Sequence, residues 1–99
     1  MYVELERRFP SSREALTSRV IVGKMLSPKD NAGALREFAA YLRDAPNGTL
    51  AEEARVGRAV ALEALGRAWE ERDAWEELLR KHPETLSRDR AEARLRVLR

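Results

Sequence analysis

The chain has no cysteine among its 99 residues. That absence excludes disulfides, thiolate metal sites and cysteine nucleophiles together. It leaves the redox compartment open. There is a single histidine, His82, so no arrangement that needs two imidazoles can be built. Aromatic residues make up 6% of the chain. There is no glycine-rich phosphate loop and no Ser-His-Asp set. No apolar run approaches the ~18 residues of a membrane span, and no secretory signal precedes the first helical segment. Charge of one sign is also lacking: 19 Lys and Arg face 17 Asp and Glu, a net charge of +2. A balance this close gives no basic field for nucleic acid or an anionic membrane.

What is present is a nine-residue pattern that occurs three times. It reads aromatic, two residues, Leu or Tyr, one residue, Arg, two residues, Pro. The copies are Tyr2-Leu5-Arg7-Pro10, Phe38-Tyr41-Arg43-Pro46 and Trp75-Leu78-Arg80-Pro83. Their spacings are 36 and 37 residues. A fixed period in this range is the signature of stacked helical repeats.

Punctuation divides the rest. Residues 2–9 read as a short amphipathic helix with Tyr2, Leu5 and Phe9 on one side, stopped by Pro10. Ser11 or Ser12 can cap a second helix that runs to about Leu26, since a short hydroxyl accepts from the orphan amides of a first turn. The cluster Ser27-Pro28-Lys29-Asp30-Asn31 is a turn. A third helix covers 32–44, with Leu35, Phe38, Ala39 and Leu42 inward. Thr49 caps a fourth, with Glu52 at capping-box spacing. That helix reaches Leu65, and Gly66 suits the left-handed position past a helix end. A fifth spans about 67–81. A last helix begins at Thr85 or Ser87, with Ala91, Leu95 and Leu98 inward and Arg90, Arg94 and Arg96 outward. No stretch alternates with period two, so the class is all-α.

A second correspondence runs at a constant offset of 39: Glu14-Ala15, Arg19 and Leu26 match Glu53-Ala54, Arg58 and Leu65. Each unit is therefore a helix A with Glu-Ala-x-x-x-Arg, a turn, and a helix B with the aromatic-to-proline pattern. Ala15, Ala54, Gly57 and Ala61 let backbones approach closely. The 99 residues divide as the second helix of a truncated unit (2–10), two units (11–46 and 47–83) and a capping helix (84–99). A chain that opens on a lone helix B reads as a fragment of a longer protein.

These units resemble tetratricopeptide repeats, whose two antiparallel helices carry a small residue early in helix B, an aromatic four residues later and a closing proline. Ala34-Phe38-Pro46 fits that order, and Gly66 with Trp75-Pro83 fits in the next unit. The chain departs from the pattern at Glu71, where the later helix B should be small, and at Ser18 and Arg55, where helix A should be aromatic. The resemblance implies a right-handed α-α superhelix of stacked antiparallel helix pairs. It implies a non-enzymatic scaffold that binds a protein or peptide. The stretch from Tyr41 to Gly48, followed by Ala51-Glu52-Glu53-Ala54, is similar to repeats of bacterial outer-membrane assembly lipoproteins and periplasmic coordinators of cell-wall synthesis, which implies the cell envelope.

The charged residues have two readings each. His82 could be a base or ligand, but nothing in sequence pairs with it. A histidine at a helix C-terminus is a dipole partner. The carboxylate pairs Glu52-Glu53, Glu70-Glu71 and Glu76-Glu77 point to different faces of a helix and read as solvated partners of Arg. We therefore expect no catalytic or metal site and no cofactor. Arg80, Lys81, Arg88, Arg90, Arg94, Arg96 and Arg99 alternate with Glu84, Asp89 and Glu92. This is a solvated capping helix, and no nucleic acid is expected. Arg19 and Arg58 recur among small residues, either facing a ligand or bridging neighbouring helices. Val56, Val60 and Glu63 share a face of helix A that would line a groove for a peptide or helix. The rival reading is a structural solenoid segment or a dimerisation domain, self-associating through Tyr2, Leu5 and Phe9.

Overall fold

The computed structural model describes residues 13–98 and contains five helices: α1 (Arg13–Leu26), α2 (Asn31–Asp44), α3 (Ala51–Leu65), α4 (Ala68–Lys81) and α5 (Arg88–Val97). No strand occurs among the described residues, and the all-α class holds. The expected helix over 2–9, with Tyr2, Leu5 and Phe9, and the caps Ser11 and Ser12 lie outside them. Each helix packs on the next in chain order, and α1 also reaches α3.

The two described aromatics of the repeated pattern each centre a core cluster. Phe38 packs with Val20, Ala34, Tyr41, Leu42, Ala51 and Ala54. Trp75 packs with Ala59, Leu62, Ala74, Leu78 and Ala91. Burying side chains of this size stabilises by roughly 1.5–3 kcal/mol each. The small residues serve close approach as expected: Ala15, Ala54 and Ala61 are all buried. Gly57 is the extreme case, because a Cβ built there falls 2.5 Å from Phe38 Cε2.

The helix ends are less as expected. Asp30, inside the expected turn, is the cap of α2; its carboxylate accepts from the Gly33 amide at 2.9 Å. Thr49 does not cap α3. The position before the helix is Leu50, with no side-chain cap. The Leu50 amide donates instead to the Tyr41 hydroxyl at 3.0 Å. Glu52 does not close a capping box either, because its carboxylate accepts from Thr85 Oγ1 at 2.7 Å. A tertiary partner has taken the Glu52 half of the local motif, and another has taken the Leu50 amide at the helix start. Gly66 does end α3 in the left-handed region, at φ 73°. The last helix starts after Ser87, and Thr85 braces its entry by accepting from the Ser87 amide. Ala39, expected inward, is exposed.

Candidate functional site

Helix α3 has two faces, and each borders a cleft. On the first, Phe38 and Gly57 form an apolar floor, Val56 a wall, and Lys24, Thr49, Glu52, Glu53 and Ser87 a polar rim. The cleft holds about 470 Å³ and opens between α1, α3 and the entry to α5. It exists because Gly23 and Gly57 let the Phe38 ring come up between two helices, leaving a depression where side chains would stand. The Lys24 ammonium pairs with Glu53 across the rim. The Glu52 bond to Thr85 fixes the far wall.

The residues expected to line this groove separate. Val56 does line it. Val60, like part of Val56, packs against the Trp75 cluster. Glu63 faces α5, with Arg90 at 3.2 Å and Arg94 at 3.7 Å. Arg19 and Arg58 each lie beside a carboxylate of the following helix: Arg19 is 3.9 Å from Glu37 and Arg58 is 3.2 Å from Glu77. Each thus reaches towards a neighbouring helix, and Arg58 also borders the second cleft.

The second face carries Arg55, which sequence reasoning noted only as a departure from an aromatic. It is 4% exposed. Its guanidinium donates to Glu77 Oε2 at 2.9 Å, to the Pro46 carbonyl at 2.9 Å and to His82 Nε2 at 2.8 Å. A guanidinium only donates, so Nε2 accepts and the imidazole proton is on Nδ1. His82 therefore has a partner, 27 residues away in sequence, which no local pattern could reveal. A flat, delocalised cation can occupy the slot of an aromatic ring, provided that its donors are met. Burial alone would push the Glu77 carboxyl up; the Arg55 bond and the charges of Arg58 and Arg55 outweigh it and hold the group below its ordinary value.

Glu71 is the other buried charge. It is not solvated, as its sequence neighbours suggested, but 1% exposed. Arg94 binds it twice, at 2.6 and 2.9 Å, and Trp75 Nε1 donates at 2.9 Å. Arg94 thus turns inward. The Arg94 bond is the main force that lowers the Glu71 carboxyl, against burial and with help from Trp75. Arg90 sits 5.8 Å from the centroid of the Trp75 ring. The signal for this network was Glu71 at a position that wants a small residue.

Beyond Arg55, the second face opens as two adjoining clefts of about 410 Å³ each, which share Ala39, Arg58 and Glu77. Trp69, 66% exposed, stands at one end. Arg43, Pro46 and Lys81 stand at the other. Among the described residues no three His, Asp or Glu side chains converge to hold a metal ion. Nor is any helix among them long and apolar enough to cross a membrane. Both faces present apolar floors with charged rims, an arrangement suited to binding. The sequence matches no protein-family model and no curated protein.

Proposed function

We propose that this chain is a non-enzymatic protein-interaction scaffold built from tetratricopeptide-like helix pairs, and that it holds a peptide or helix of a protein partner in the cleft between α1, α3 and the entry to α5. The observation that carries the reading is that cleft: an apolar floor of Phe38 and Gly57 inside a rim of Lys24, Glu52 and Glu53. Binding sites for peptides combine apolar anchors with a polar rim. Packing of each helix on its neighbour in chain order supports the stacked architecture. So does the burial of Phe38 and Trp75 at the same place in the repeated pattern. In this reading the bacterial envelope is the working compartment, on the strength of the resemblance. Nucleic acid is not the partner in this reading, because three of the four arginines of α5 are engaged: Arg88 with Glu92, Arg90 with Glu63 and Arg94 with Glu71.

Selection of short peptides from a displayed library against the immobilised chain tests the site. The rim pair is exposed and can be inverted without touching the core, as Lys24→Glu with Glu53→Lys. The selected peptides should lose about tenfold or more in affinity for that variant, because reversed rim charges oppose the partner. Peptides that bind both proteins equally would place recognition elsewhere and remove the reading.

A further inference from the structure

The second face of the molecule carries a charge pattern with a direction. Trp69, Asp73, Glu77 and Lys81 follow one another at intervals of four along α4, and residues four apart on a helix share a face. All four border the adjoining clefts beside α2 and α3. The wall of the end near Trp69 has Glu70, Asp73 and Glu77 with Arg58 as its cation, and Arg67 stands 3.9 Å from Glu70 beside it. The end near Pro46 has Arg43, Arg55, Arg58 and Lys81 against Glu77 alone. In the centre, Glu77 is already neutralised by Arg55 and Arg58. Between the ends lie Leu35, Ala39, Leu42 and Leu62.

We infer that this face binds a second copy of the chain about a two-fold axis that passes near Glu77. The pattern is its own complement. A two-fold axis places the same patch on both subunits, so a residue on one side of the axis meets its counterpart on the other. Asp73 and Lys81 are each four residues from Glu77, in opposite directions. Turning α4 over against itself brings Asp73 of each copy opposite Lys81 of the other, twice. The acidic end of each groove then covers the basic end of its mate. The same rotation carries the exposed Trp69 ring towards the Leu42 and Pro46 end, where Arg43 and Lys81 offer cations to an aromatic face. Asp73 makes no ion pair among the described residues, and Arg43 pairs only with its exposed neighbour Asp44. Asp73 is open to a partner, and the Arg43 guanidinium, though bonded to Asp44, keeps most of its surface exposed. This surface is on the side of α3 opposite the Phe38 cleft, so a dimer leaves that cleft open, and the two inferences stand or fall separately.

Charge reversal provides the test. Sedimentation of the whole chain over a concentration series should show a monomer–dimer equilibrium. Trp69→Ala should weaken the dimer about tenfold or more, as loss of a buried aromatic anchor does. Asp73→Lys should weaken it to at least that degree, since it creates two like-charged contacts per dimer. Lys81→Glu should do the same. All three positions are exposed, and a melting curve checks that the variants are folded. The decisive arm mixes Asp73→Lys with Lys81→Glu: a mixed dimer has both contacts attractive again, so association should return to near that of the original protein. A chain that stays monomeric throughout would overturn the inference. So would a dimer indifferent to either reversal, or reversals that mixing does not rescue.

Discussion

Trp75 is the largest fully buried side chain, and its indole N–H is matched to a buried carboxylate rather than a carbonyl. Trp75→Ala should therefore cost about 3–5 kcal/mol, from the lost packing and from a Glu71 that loses one of its donors. Urea unfolding measures the loss, and a change under 1 kcal/mol would mean that the ring does not carry the second cluster. The same carboxylate makes stability depend on acid. The folded chain holds Glu71 and Glu77 below their ordinary values, so on acidification the unfolded chain takes up protons first. Their contribution is complete above the unfolded value of about 4.3 and is lost as pH falls through the lower folded value. The unfolding midpoint should be flat near neutrality and drop below about pH 4. Glu71→Gln should flatten that drop while lowering stability at neutral pH. If the two proteins lose stability in parallel on acidification, Glu71 is not the linked group. Arg55→Ala should cost about 1–3 kcal/mol, since it empties the place of a buried guanidinium and takes the shared donor from Glu77, His82 and the Pro46 carbonyl.

Among the elements, helix existence and approximate bounds were legible and the cap of α3 was not. The apolar spacing of Ala34, Phe38 and Leu42 fits one face of a helix, and the packing buries that face. Gly66 was legible for a similar reason, since few residues accept its backbone angles. The start of α3 was not, because a capping box competes with any better partner. Tyr41 lies in the preceding helix and Thr85 follows α4, and neither is visible in the local window around Thr49. The pair of bonds makes a contrast that can be measured. Thr49→Ala should stay within about 0.5 kcal/mol of the original, where a true cap would cost about 1 kcal/mol. Tyr41→Phe should cost about 1 kcal/mol through the unmet Leu50 amide. Gly57→Ala should destabilise by about 1–2 kcal/mol despite better helix propensity, because the added methyl meets the Phe38 ring. Of the groove face, Val56 was legible from its spacing. Val60 and Glu63 were assigned to the same face, and α5 was not expected to reach it. Arg55 and Glu71 were visible only as departures from a repeat, because ion pairs 22 and 23 residues apart leave no local trace.

At the scale of the whole molecule, the last helix is held differently from the rest. Ala91 is the only buried residue of α5; Leu95 and Leu98 pack half-buried against the Trp75 cluster, and charged ties add Arg94 to Glu71, Arg90 to Glu63 and the Thr85 entry. Partly exposed ion pairs are screened by salt. Amide exchange should therefore accelerate in α5 before α2 to α4 when salt is raised to about 1 M, and a uniform response would show that α5 is not a separate unit of stability. Arg55 has the opposite effect at the other side of the stack. Its one guanidinium holds the Pro46 carbonyl and the His82 ring, which sit at the closing ends of two successive copies of the aromatic-to-proline pattern. The interval between those copies is therefore fixed by the reach of a single side chain as well as by the count of residues. Two turns thus depend on one side chain, and losing it would release the Pro46 and His82 ends together.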